Sequence, residues 1–351
     1  MIQKHWWKGL AVLILLYVFI VGMRTPLAQG ITSSSPTILN SGSIVELSVE
    51  GYNTYFTQGE NNAFLKIDSS HAICATDIKV LNDNQLKLTF ALPTTLPTAD
   101  ANMPATLVVN NTVKGFAIYP DAASIKATPV EDSTSNANWE SCDNPLITEN
   151  SEYDFPFRNV LMETIRNTYF HVPLWFSMIF IFLASMINSI KYLRNDFDIQ
   201  YDIKSKALIE IGVLYGILGT ITGGIWAQFT WGAFWSFDIK QNMTAITLLI
   251  YLAYFVLRSS FDDEQQKARL AAIYNIFAFA SIIPLLFVIP RMYDSLHPGN
   301  GGNPAFGGED LDNTMRTVFY PAIIGFTLLG FWIGNVLTRV NKIRQELIDR
   351  M

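Results

Sequence analysis

Tyr169-Phe-His-Val-Pro-Leu-Trp-Phe-Ser-Met-Ile-Phe-Ile-Phe-Leu-Ala-Ser-Met-Ile-Asn-Ser-Ile190 is a run of 22 residues with no Asp, Glu, Lys or Arg. A hydrocarbon slab ~30 Å thick asks about that length of a helix. Working outward, five more apolar blocks appear: Trp6 to Gly22, Ala207 to Trp226, Met243 to Leu257, Ala271 to Ile289 and Phe319 to Leu337. Composition agrees, with 50% hydrophobic and only 15% charged residues, where a soluble domain carries about 25% charged. Lipid offers the backbone no hydrogen-bond partner, so each block is expected to be a helix. The predicted fold class is a polytopic α-helical membrane protein with six transmembrane helices and an inserted all-β sandwich-like external domain between the first and second.

The first block follows the cations Lys4 and Lys8 and has the outline of a secretory signal. Arg24 directly after it, and Pro26 beside the small-residue site at Ala28, make a retained span the better reading, with Trp6 and Trp7 as interfacial anchors. Orientation follows from the short loops. With the N-terminus inside, Lys191, Arg194, Lys204, Lys206, Arg258, Lys267, Arg269, Arg339, Lys342, Arg344 and Arg350 fall on the cytoplasmic side. Only Lys240, Arg291 and Arg316 fall in short outer loops. That asymmetry is the positive-inside pattern, so both termini are expected in the cytoplasm and residues 24–168 outside. In a bacterium this is the inner membrane, with the exported part in the periplasm.

The exported part reads as a domain of its own. Ser43-Ile-Val-Glu-Leu-Ser-Val49 and Asn84-Gln-Leu-Lys-Leu-Thr-Phe90 alternate apolar and polar residues, and Asn40-Ser-Gly42 and Asn82-Asp-Asn84 supply turns. Short alternating strands at close spacing predict a small antiparallel sandwich over 25–121. The opening, Ile31 to Pro36, then Gly42 and Val49-Glu-Gly-Tyr-Asn-Thr-Tyr-Phe56, resembles the immunoglobulin-like IPT/TIG domains. Residues 122–160 read as a polar linker, 161–340 as the five-helix membrane domain and 341–351 as a cytoplasmic tail. Cys74 and Cys142 lie in the exported part and are either bridged or two thiols. Acidic residues outnumber basic ones there, which argues against nucleic acid or an anionic lipid surface as partner.

Function concentrates at the outer face. Trp231-Gly-Ala-Phe-Trp-Ser-Phe-Asp238 puts four aromatic rings and one carboxylate into eight residues between two spans. Anchoring alone would scatter such rings singly at helix ends. If the loop is partly helical, positions 231, 234, 235 and 238 share a face. Of the four histidines, His5 and His71 have ordinary surface or core explanations. His171 opens the second span and His297 lies in the last outer loop, so both reach the same side as the aromatic loop. Either alone would be a polar anchor. Together they offer two imidazoles to the axial positions of a haem iron, with Trp226, Trp231, Phe234, Trp235 and Phe237 as apolar surface for the macrocycle.

Taken with its approach Thr222-Gly-Gly-Ile-Trp226, the loop resembles the tryptophan-rich WWD signature of the haem-handling proteins of cytochrome c biogenesis. Tyr169-Phe-His-Val-Pro173 and Leu296-His-Pro-Gly299 are similar to the two histidine motifs of the CcmC branch. Ala271-Ala272 and Pro284 fit the same pattern, and the match spans residues 160–340. The resemblance implies haem b as cofactor, bound by His171 and His297 and the loop through Asp238. It also implies presentation to a CcmE-like haem chaperone, with a CcmAB-type ABC transporter and a CcmD-like small protein as partners. It implies haem delivery, with no catalytic residue to assign. Phe234 and Phe237 stand where the family usually has Trp, which keeps the ring and loses an indole donor. The run Ile239-Lys-Gln-Asn-Met-Thr244 is closer to CcsA, a subunit of cytochrome c haem synthase, so that branch is the alternative.

Asp238 has a local reading as well: a carboxylate would repel haem propionates, and capping the start of the fourth span suits it better. Lys240 and Arg291 are either partners for propionates or solvated loop charges. Glu210, near the inner end of the third span, is either a functional intramembrane acid or a snorkelling one. A membrane sensor or scaffold would account for the large outer domain and leave the two histidines unexplained. A transporter would need matching broken helices or deep charges in several spans, for which only Glu210 and Pro284 offer anything.

Overall fold

The computed structural model describes residues 5–68, 71–97, 102–127, 153–297 and 311–348. The chain divides into two compact units, one made of Met1–Thr25 with Glu163–Met351 and the other of Pro26–Met162. Lys4, Cys142, Pro298, Gly299, Arg350 and most of the expected linker lie outside the described residues.

The first unit holds six helices long and apolar enough to cross a membrane. They are α1 (Trp6–Arg24), α2 (His171–Arg194), α3 (Ile199–Trp231), α4 (Ile239–Ser259), α5 (Glu264–Ile282) and α6 (Asn313–Ile348). Leu13, Phe19, Leu249, Val256 and Phe277 are exposed on them, an arrangement that suits lipid and that a soluble bundle would bury. Several helices overrun the apolar blocks, α3 and α6 most of all. The 33 residues of α3 measure about 50 Å at 1.5 Å per residue. Hydropathy marks only the apolar stretch, whereas the backbone helix runs until a cap ends it. Asp198 caps α3 by accepting from Gln200 N–H at 3.0 Å, and Gly232 closes it in the left-handed conformation at φ 78°. α6 likewise runs through the expected tail to Ile348.

The fifth block is not one regular helix. Pro284 and Pro290 each remove a backbone donor, and the α-helix gives way after Ile282 to a π-helical turn, Ile283–Val288, then a 3-10 turn, Ile289–Arg291. These turns lead the chain toward His297. A 3-10 stretch, Met162–Tyr169, leads into α2.

Inside the bundle, α3 packs closely on α2 and α4. A Cβ added at Gly212 would collide with the Phe182 ring, and one at Gly216 with the Leu248 side chain. Phe182 also stacks on Tyr251 at 3.6 Å between centroids. One cluster of polar side chains buried among the helices is satisfied largely within itself. Asn275 Nδ2 donates to Ser189 Oγ at 2.9 Å and Ser185 Oγ at 3.1 Å, and Ser205 Oγ donates to the Ser185 carbonyl at 3.0 Å. Near the start of α3, Arg258 of α4 binds both oxygens of the buried Asp202 at 2.7 and 2.8 Å. Glu210 lies 3.9 Å from Lys206, one turn back on the same helix, which favours the local reading of that acid.

The second unit is a two-sheet sandwich. Its strands are β1 (Gly30–Ser35), β2 (Ile38–Asn40), β3 (Ile44–Tyr52), β4 (Asn61–Lys66), β5 (Ala72–Cys74), β6 (Asp77–Asn82), β7 (Gln85–Ala91), β8 (Asn102–Asn111) and β9 (Gly115–Lys126). One sheet has the order β1-β3-β7-β6 and the other β2-β9-β8-β4-β5. The two alternating segments quoted above pair with each other, Leu47 opposite Leu88 and Val49 opposite Leu86. Leu47, Leu86, Leu88 and Phe90 from one sheet and Leu65, Leu107, Val109 and Ile125 from the other share one buried core. Two expectations need correction. The sandwich is not wholly antiparallel, because β2 pairs parallel to β9; a three-residue edge strand carries no sequence mark of its direction. β9 also continues to Lys126, inside the stretch read as linker, because Ala122, Ala123 and Ile125 complete the core. His71 pairs with Asp68 at 2.8 Å, and Cys74 is disulfide-bonded.

Replacing Asp202 by Asn should cost about 3–5 kcal/mol, because it strands a buried guanidinium. Gly212→Val should cost about 1–3 kcal/mol by overpacking against Phe182. Thermal denaturation in detergent checks both, with Gly9→Ala, whose added Cβ meets nothing within 4 Å, expected to melt with the parent. In the sandwich, Leu88→Ala should cost about 2–5 kcal/mol, read by denaturant unfolding of residues 26–162.

Candidate functional site

The last turns of α3 are built around missing side chains. Along Gly219-Thr-Ile-Thr-Gly-Gly-Ile-Trp226, a Cβ at Gly219 would stand 2.8 Å from Trp175 Cε2. One at Gly223 would strike the imidazole of His171, and one at Gly224 the ring of Phe234. These glycines let two aromatic side chains and a histidine come close against the helix backbone.

His171 is the first residue of α2. Pro173 in the same turn costs no hydrogen bond, because first-turn N–H groups have no helical acceptor. The ring is pinned by Nδ1–H donating to the Gly219 carbonyl at 2.9 Å. A carbonyl only accepts, so this bond fixes the tautomer and leaves the Nε2 lone pair free. Trp175, one turn along α2, meets the imidazole edge-on at 6.3 Å and 82°. The sequence reading missed Trp175, although its i+4 spacing from His171 on a helix was the signal for it.

His297 arrives from the segment after the broken end of α5, and Asp238 holds it. The carboxylate accepts from His297 Nδ1 at 2.8 Å, from Leu296 N–H at 2.8 Å and from Ser295 Oγ at 3.1 Å. It also accepts from Lys240 N–H at 2.9 Å and so caps α4. The capping role expected of Asp238 is present, and its grip on His297 is an addition that no local pattern announces. Its side chain is only 2% exposed. Burial pushes the carboxyl pKa up, but the bond from His297, helped by those from Leu296 and Ser295, outweighs burial and holds it well below the usual carboxylate range. The stability linked to this group is therefore fully present above its unfolded value near 4 and is lost as pH falls toward the depressed folded one.

The indoles gather on the second histidine. Trp231 lies edge-on to His297 at 4.7 Å, Trp226 is tilted to it at 6.3 Å, and the two indoles meet at 5.2 Å. Both histidines thus touch the last turns of α3, His171 at Gly223 and His297 at Trp226. Among the described residues, neither Nε2 has a hydrogen-bond partner.

The rest of the loop departs from the expected helical face. Gly232 ends α3, and residues 232–238 form an irregular segment in which Phe237 takes a φ of 56° and is 77% exposed. Positions 231, 234, 235 and 238 consequently share no helical face. Phe234 packs on Gly224, and Trp235 is half-buried with no ring partner among the described residues. Gln241 Oε1 accepts from Ser236 N–H at 2.9 Å, and Asn242 Nδ2 donates to the Phe237 carbonyl at 2.7 Å, tying the loop to the start of α4. Arg291 is exposed and donates to the Phe287 carbonyl at 3.2 Å.

Residues 157–350 match the family described as CcmC, Heme exporter protein C. Heme exporter protein C of Bradyrhizobium diazoefficiens is 29% identical over 192 residues, which cover 53% of this chain and 68% of that protein. Heme exporter protein C of Paracoccus denitrificans is 25% identical over 184 residues, 52% of this chain and 76% of that one. Cytochrome c biogenesis protein CcsA of Pelargonium hortorum is 34% identical over 89 residues, 25% of this chain and 28% of that protein. All of the candidate residues fall inside the family match, the sandwich falls outside it, and the chain belongs to the heme exporter protein C family.

Proposed function

We propose that this protein spans a membrane six times, binds haem b at the outer end of its helices, and presents it for cytochrome c maturation. The observation that carries the reading is the pair His171 and His297. Each has Nδ1 engaged by a fixed acceptor and Nε2 open, amid Trp175, Trp226 and Trp231. Two imidazoles are too few protein ligands for a bare transition metal, yet they complete the axial set of an iron whose other four ligands belong to a porphyrin. Indole surfaces are what the macrocycle faces require. When bound, haem supplies the iron and the vinyl groups that maturation consumes. The protein's own residues orient it and shield it from water.

The membrane placement rests on the six apolar helices and on the cations gathered at the ends of α2 to α6 opposite the histidines. By the positive-inside pattern that end is cytoplasmic, and the histidines face the periplasm together with residues 24–168. The relatives' names support delivery as one component of a haem exporter. On that reading the bound haem passes to a CcmE-like chaperone, assisted by a CcmAB-type transporter and a CcmD-like subunit. The similarity to CcsA over the central spans favours one second reading, a haem synthase subunit. The sandwich is assigned as a docking surface for a partner of the same machinery.

The detergent-purified parent is expected to show a six-coordinate low-spin haem spectrum, changed or lost in His171→Ala and His297→Ala. Trp231→Ala should lower haem occupancy more than Trp235→Ala, since only Trp231 touches His297. A well-folded parent that takes up no haem would reduce the aromatic loop to an interfacial belt. For the sandwich, deletion of residues 31–150 should impair cytochrome c assembly in cells while the haem spectrum persists; normal assembly would remove the docking role.

A further inference from the structure

His171 and His297 are backed by different groups. His171 Nδ1–H donates to a neutral carbonyl, that of Gly219, at 2.9 Å. His297 Nδ1 faces a buried carboxylate oxygen of Asp238 at 2.8 Å. Their mountings differ as well. His171 stands on the first turn of a helix, in a notch on α3. His297 belongs to an irregular segment whose hold on α4, through the Leu296 N–H, the Ser295 hydroxyl and its own ring, runs through the one carboxylate.

A hydrogen bond to a carboxylate draws the Nδ1 proton outward and raises the basicity of Nε2, which a carbonyl does more weakly. It also fixes which nitrogen is open and how the ring is turned. Electron donation from an axial ligand favours ferric over ferrous iron, and hydrogen bonding behind the ligand is one of the levers by which a protein sets that balance.

Resting on the reading that the two histidines are axial ligands, we propose that Asp238 is a positioning residue that makes them unequal, with His297 the stronger, oriented ligand and His171 the weaker one. Asp238 itself stays off the iron and off the propionates. Its acceptor positions are taken by His297, Leu296, Ser295 and Lys240, which accounts for a carboxylate at the edge of a site for an anionic ring.

The test compares midpoint potential, ligand-sensitive spectra and haem affinity, all in the full-length protein loaded with haem, for the parent, Asp238→Asn, Asp238→Glu, His171→Ala and His297→Ala. Asp238→Asn should weaken ferric haem binding about 10-fold or more. If that loss falls wholly on the ferric form, the potential rises by about 59 mV for the one-electron couple, and Asp238→Glu should recover part of the shift. A purely structural role would lower the melting temperature and leave the potential of the bound haem in place. Independently of any change at Asp238, His171→Ala should keep a five-coordinate haem, while His297→Ala should bind at least about tenfold more weakly; this comparison decides alone if Asp238→Asn does not fold. A bis-histidine parent whose potential is unmoved in Asp238→Asn, with equal losses in the two histidine variants, overturns the inference and leaves the proposed function standing. A parent without haem overturns both.

Discussion

The close approach of α2 and α3 is the constraint on which the rest of the membrane unit depends. Without side chains at Gly212, Gly219 and Gly223, α3 can receive Phe182, Trp175 and His171 of α2 against its own backbone. Small residues at a helix contact let the backbones approach closely and gain van der Waals packing. The same contact presents the Gly219 carbonyl to the His171 ring. Packing and site geometry therefore share one cause, and a side chain at Gly223 would displace the imidazole.

A second joint is made by Asp238. Its position between the end of the aromatic loop and the first turn of α4 lets one carboxylate cap a helix and hold the segment that follows the broken end of α5. The two prolines that spoil the regular end of α5 have a use in this light, since they release the chain from the helix before it reaches Ser295. A buried carboxylate is costly to leave unpaired, and four hydrogen bonds satisfy this one. The arrangement ties the post-α5 chain to the loop, to α4 and, through Trp226, to the end of α3.

At the other end of the bundle, Asp202 and Arg258 play a different part. Their paired geometry fixes the start of α3 against the end of α4, and the Ser185, Ser189, Ser205 and Asn275 cluster ties α2, α3 and α5. Polar groups in such places have no competing water, so their directional bonds specify which helix faces which.

The sequence alone determined six helices long and apolar enough to cross a membrane and the β character of the insert, because the length of an apolar run and alternation along a strand are local properties of the chain. It also pointed to His171, His297 and the aromatic loop lying at one end of the bundle, since successive long helices joined by short loops alternate in direction. Helix ends were less legible, because hydropathy tracks the apolar stretch while Asp198, Gly232 and Asp238 set the actual termini. Only the tertiary structure decided that Asp238 belongs to His297, 59 residues away, that Trp175 rather than Trp235 borders a histidine, and that Gly223 leaves room for His171. Only it showed β2 running parallel to β9. Each of these is a contact between segments far apart in the chain, and no residue pattern within one segment records which distant backbone will come within hydrogen-bond reach.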